Sequence, residues 1–169
     1  MSRYEAERRD GLARIGTYEE GEERVSLPAA LDVDGLFPAL NRRPLSNVPL
    51  AIDPAFVENY FSPGEGQPVT VHPLAASAES GDCVMVANWH TAQKNPRNYA
   101  MWLAALKESV PPDTAWYAPA AALPSTACLL VYSGFDLFDY RAVDLASAQK
   151  TFCLPEGEFP ASIMKTGVC

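Results

Sequence analysis

The sequence has no apolar run approaching the length of a membrane span, which excludes a helical anchor within it. Its opening residues, MSRYEAERRD, lack the apolar core of a signal peptide, so an intracellular, cytoplasmic chain is expected. Positive charge is scarce. Thirteen Lys and Arg stand against 21 Asp and Glu, a formal net charge of −8. That balance argues against a broad basic surface for nucleic acid on this chain alone, although a role beside an RNA-binding partner stays open. Histidine is limited to His72 and His90, neither with a ligand-spaced partner, and no metal site is expected. The four cysteines, Cys83, Cys128, Cys153 and Cys169, form no C-x-x-C pair and read as reduced thiols. There is no G-x-G-x-x-G, Walker loop, G-x-S-x-G or H-E-x-x-H, so nucleotide, common hydrolase and zincin chemistry has no support and no cofactor is expected.

What the chain does have is punctuation. Fifteen prolines fall mainly between periodic segments, and no internal repeat or low-complexity tract is visible. A length of 169 residues is one domain, 1–169, able to bury a core. Residues 1–10 read as a loose or edge segment. Residues 11–28 read as a β-hairpin: LARIGT, then the acidic tip EEGEE, then a returning strand that Pro28 ends. Residues 29–47 show no clean period, with Phe37, Leu40 and Leu45 tucked under a loop and Arg42-Arg43 as the one local basic spot. A short apolar run, Val48 to Ile52, precedes Asp53-Pro54, which caps and starts a helix carrying Phe56, Val57, Tyr60 and Phe61 on one face. Strands follow at Pro68 to His72 and at Asp82 to Ala87, the second read as a buried parallel strand. Asn95-Pro96 opens a helix that Pro111-Pro112 ends.

The organising stretch is Thr114 to Tyr140. The apolar run Ala115 to Ala118 leads to an alanine-rich loop. A short amphipathic helix then runs from near Pro124 to Gly134, and a second apolar run, Phe135 to Phe138, closes on Asp139. This is the pattern of a strand, a crossover helix and a parallel strand. Beyond it, Arg141 to Lys150 reads as a helix or an irregular loop, Thr151 to Leu154 as a strand, and the tail is unassigned. Alternating strands and helices point to an α/β sheet or a partial barrel.

Ligand-facing groups in parallel α/β folds sit at the carboxyl ends of the strands. Asp136 and Asp139 are the candidate acids there, as a nucleophile on a sugar carbon or a general base. The alternative is a helix cap or a loop hydrogen-bond acceptor. Asn88 and His90, at the end of a buried strand, are candidates for the same pocket.

The segment LVYSGFDLFDY, Leu130 to Tyr140, resembles the G-V/I-D-L/M-F-D segment of the tRNA-guanine transglycosylases. RDGLARIG (Arg9 to Gly16) and SLPAAL (Ser26 to Leu31) resemble the opening hairpin of that family. The run from Val110 to Leu137 is most similar to the N-terminal domain of the archaeosine synthase branch, an archaeal paralogue with a degenerate barrel. The resemblance covers about half the chain, good at both ends and only general in layout over residues 32–80. It implies a truncated, TIM-barrel-like α/β domain with an N-terminal hairpin and a role in archaeosine biosynthesis, an archaeal tRNA modification. In that branch lysine is attached to a cyano-deazaguanine already in the tRNA, and a radical-SAM partner finishes the base.

The departures from the family pattern are as informative. The resemblance places the family nucleophile on Asp139, as a relic. The loop D-S-G-G-F-Q, which brings the second catalytic acid, is absent. The glycines of the family's G-x-G-x-P are Ala120 and Ala122, which adds a methyl at each close-approach position. The zinc motif C-x-C-x-x-C would begin near Cys169, and the RNA-binding and lysine-transfer segments are not in this sequence. The expectation is an accessory or non-catalytic subunit beside a partner carrying the catalytic and RNA-binding domains, with an exposed apolar patch where that partner docks and tRNA met only indirectly. The alternatives are a small stand-alone α/β ligand-binding domain or enzyme with an acidic pocket, and a purely structural scaffold.

Overall fold

The computed structural model describes residues 2–37, 71–72, 78–86 and 96–166. The apolar run at 48–52, the expected helix from Asp53, Leu40, Leu45, the Arg42-Arg43 pair, Asn88, His90 and Cys169 lie outside the described residues.

The chain opens with a three-stranded antiparallel sheet of β1 (Ser2–Asp10), β2 (Ala13–Glu20) and β3 (Glu23–Leu27), in that order. Both connections are two-residue loops that begin with a glycine at positive φ, Gly11 at 60° and Gly21 at 67°, as tight hairpin loops require. Within the first ten residues, read as loose or edge, Ser2–Asp10 form the nine-residue edge strand β1. Their exposed charges suit an edge, because unpaired backbone beside charged side chains resists pairing with another chain. A bulge between Ala6 and Arg8 bends β1, and Gly16 of β2 lies so close to Glu5 O and the Ala6 Cα that a Cβ there would collide with backbone.

A five-stranded sheet forms the centre, in the order β4 (Ala29–Ala30), β8 (Leu137–Phe138), β7 (Ala115–Ala118), β6 (Cys83–Val86), β5 (Val71–His72). All its pairs are parallel except β5 with β6. Among the described residues it is an open mixed sheet with β4 and β5 at its edges rather than a closed barrel. The region without a clean period supplies β4 and the short helix α1 (Val33–Leu36), whose start is capped by the Asp32 carboxylate accepting from Gly35 N at 3.1 Å.

The continuous apolar runs of β6 and β7 follow from burial on both faces. Alternate residues separate into two cores. Val84, Val86, Trp116, Ala118 and Phe138 pack with Tyr99 and Leu103 of helix α2 (Pro96–Glu108) and Leu130 of helix α3 (Ala127–Tyr132). Cys83, Met85, Ala115, Tyr117 and Leu137 pack with Tyr4, Tyr18 and Leu27 of the N-terminal sheet and with Val33 and Phe37. The central sheet thus lies between helices on one face and the three-stranded sheet on the other.

The unit β7–α3–β8 is the parallel crossover read from the sequence, and β7 and β8 are direct neighbours. After β8, residues 141–148 form a helix, α4 (Arg141–Ala148), rather than a loop. It packs on a two-stranded ribbon of β9 (Thr151–Leu154) and β10 (Gly157–Pro160), followed by a 3-10 helix at Ala161–Thr166. No helix among the described residues is long and apolar enough to cross a membrane.

Candidate functional site

The two aspartates lie on either side of β8, at its opposite ends, and each closes its own cluster. Asp139 stands at the carboxyl end, level with the turn that follows β7. Its Oδ1 accepts from Ala120 N at 2.9 Å and Arg141 N at 3.1 Å. Its Oδ2 accepts from the Tyr117 hydroxyl at 2.7 Å and pairs with Arg141 Nη1 at 3.2 Å. A carboxylate has about four acceptor directions, and here all four are taken while the residue is only 4% exposed. It therefore joins the β7 turn to the first turn of α4, as a loop acceptor and a helix-start acceptor together. Burial, then Asp139 itself, push the Tyr117 phenol far up, which keeps that hydroxyl a neutral donor.

Ala120 sits in this turn with φ 51°, in the left-handed region. The added methyl points outward, since Ala120 is exposed, so the departure from glycine acts through backbone strain rather than a blocked approach. Ala122 is part-buried against the helical core. The turn closes through Thr126 Oγ1, which accepts from Leu123 N at 3.0 Å and donates to Ala121 O at 2.8 Å.

Asp136 precedes β8 and is fully buried. Arg14, reaching across from β2, pairs with it through Nε at 3.2 Å and through a very short contact from Nη2. Trp116 N donates to Oδ2 at 2.8 Å, and the Tyr4 hydroxyl lies 3.4 Å from Oδ1. The same guanidinium donates to Thr114 O at 2.9 Å and to Pro112 O at 3.2 Å, and stacks 4.6 Å from the Tyr4 ring centre. Burial pushes the Asp136 carboxyl up, and the Arg14 guanidinium opposes that.

Asp136 and Asp139 share no partner. The structure brings Asp139 together with Ala120, while Asp136 belongs to the seam between the two sheets. Tyr4, Arg14, Tyr117 and Arg141 are the residues the sequence reading passed over. Polarity alone would turn Arg14 to solvent and Ile15 inward. The reverse is found, with Arg14 buried and Ile15 53% exposed, because the buried carboxylate of Asp136 needs a cation. The RDGLARIG resemblance carried this arginine, but nothing local tied it to an aspartate 122 positions away.

A carboxylate that attacks a sugar carbon must present a free lone pair to open space. Neither aspartate does so in this arrangement. Among the described residues no three His, Cys, Asp or Glu side chains gather as metal ligands, and Cys83, Cys128 and Cys153 form no disulfide.

Comparison with known proteins adds one likeness. No family model matches the chain. Over 69 residues it is 38% identical to archaeosine synthase subunit alpha of Methanosarcina acetivorans, a match that covers 41% of this chain and 11% of that protein. This chain is thus similar, over that stretch, to about a tenth of a much longer protein.

Proposed function

We propose that this chain is a transglycosylase-like domain, related to a truncated TIM barrel, that serves archaeal tRNA modification as an accessory, non-catalytic part of an archaeosine synthase-type system in the cytoplasm. The observation that carries the reading is the 38% identity to archaeosine synthase subunit alpha. The Asp139 cluster supports the accessory half of it. Four donors hold the residue that the family resemblance marks as the nucleophile, and its side chain is almost wholly covered. The net charge of −8 suits a chain that leaves RNA contact to a partner.

The β9–β10 ribbon supports the partner. Phe152 and Phe159 are directly paired across the strands, and Leu154 lies two residues on from Phe152, on the same side. These three are 44%, 38% and 40% exposed. An apolar ribbon face of this kind is what a docking surface presents.

Affinity capture of the tagged chain from its native lysate tests the reading. Recovery of the catalytic and RNA-binding subunits of archaeosine synthase, in amounts reduced by Phe152→Ser, is the expected result. A partnerless monomer contradicts it. The stand-alone acidic-pocket reading is weaker, because Asp136 and Asp139 close separate clusters.

A further inference from the structure

At the opposite end of the central sheet from Asp139, a cleft of about 350 Å3 opens between the β1–β2 hairpin and the end of α2. Its walls carry three cations, Arg9, Arg14 and Lys107, beside Trp116 and Leu12, with Glu108 as the one acid in the lining. In a chain of net charge −8 this gathering of positive charge calls for a reason.

The cations are only partly satisfied by the protein. Arg9 Nη2 makes one bond, to Pro112 O at 3.0 Å. Lys107 Nζ also makes one, to Gly134 O at 2.8 Å, and rests 3.8 Å from the Trp116 ring centre. Arg14 uses four bonds, to Asp136, Thr114 O and Pro112 O, out of the five donors a guanidinium carries. Two arginines and a lysine, each with donors beyond these bonds, therefore line one concave space. Asp136 lies behind Arg14 and is consumed by it, and Glu108 is exposed at the rim.

We propose that this cleft binds an oxyanion of the phosphate class, with Arg9 and Lys107 as its principal ligands and Arg14 as the fixed back wall. Arginine forks and a lysine point charge are the groups that recognise phosphate oxygens. Burial holds the Lys107 ammonium well below its ordinary range, so an anion in the cleft would restore the charge that desolvation penalises. The exposed Leu12 at the edge would accept the group that carries the phosphate. The site is remote from Asp139 and does not depend on the function proposed above.

The test is titration of the isotope-labelled full chain with inorganic phosphate, followed by the Trp116 indole resonance, which Trp116→Phe identifies. A saturable shift is expected, weakened about tenfold in Arg9→Ala and in Lys107→Gln, since each variant removes one charged contact. Arg9 is exposed and Arg9→Ala should fold normally, while Arg24→Ala on β3 serves as a control that should not alter binding. A parallel titration with a short 5′-phosphorylated RNA separates the sources. Tighter binding of the RNA at the same resonance assigns a nucleic-acid phosphate, and response to phosphate alone assigns a small phosphate ligand. No saturable shift at Trp116, or equal affinity in wild type and both variants, overturns the proposal.

Discussion

Asp136 and Asp139 are three positions apart, flanking the two-residue strand β8, and do different work. Asp136 is held by Trp116 N of the central sheet and by residues from β1 and β2, more than 120 positions away in sequence, and so ties the N-terminal sheet to the central one. Asp139 is held by residues within 22 positions, and orders a turn and a helix start. The first is a long-range pin across a buried seam, the second a local clasp near the surface. A buried ion pair leaves an uncompensated charge when one partner is lost, whereas a clasp of several hydrogen bonds loses only part of its strength. The residue with the catalytic likeness is thus the less critical one for folding.

The largest effect expected is therefore at the seam. Asp136→Asn should cost about 3–5 kcal/mol in chemical denaturation, because it strands the Arg14 guanidinium. Arg14→Met should cost a similar amount, and the double variant should cost less than the sum. If the two losses add, the pin is not a pair and the comparison fails. Asp139→Asn should cost about 1–3 kcal/mol, the loss expected from weakened charge-assisted hydrogen bonds. An Asp139 loss larger than the Asp136 loss would reverse the ranking.

Alkaline pH probes both clusters through their tyrosines. Tyr4, beside Asp136, is pushed up to about 12 by burial and then by that carboxylate, and Tyr117, beside Asp139, is pushed further. A phenol raised in the folded state contributes stability that is complete below its unfolded value of 10.0 and is lost as pH rises through the folded value. Lys107, depressed by burial, acts with the opposite sign and gains stability up to 10.5. With Tyr99 also raised by burial, the phenols outnumber the amine. The unfolding midpoint should fall above pH 10, with phenolate absorbance from these tyrosines appearing only as the chain unfolds. The smallest effect is at Ala120, where Ala120→Gly relieves a positive φ and should stabilise by about 1 kcal/mol or less, since glycine also loosens the unfolded chain.

Legibility in the sequence followed the physics of each element. β6, β7, α3 and β8 were readable because two-faced burial produces unbroken apolar runs, and Gly134, at φ 82°, ends the crossover helix. The β2–β3 hairpin was readable from the glycine in EEGEE. β1 was hard to read because an edge strand keeps its charges, and SRYEAERRD gives no alternation to detect. β10 was missed because its residues are exposed on both faces, apart from the part-buried Gly157. The candidate site was legible only as two acids. Their saturation comes from Arg14, Tyr117 and the backbone of Ala120, contacts made by folding rather than by spacing.

The central claim is that Asp139 is a structural clasp in an accessory domain. The direct test is incorporation of labelled guanine or a deazaguanine base into archaeal tRNA by the purified chain, with Asp139→Asn beside it. The account predicts no incorporation by either protein alone. Incorporation by the wild-type chain that Asp139→Asn abolishes, while the variant stays folded, would contradict it.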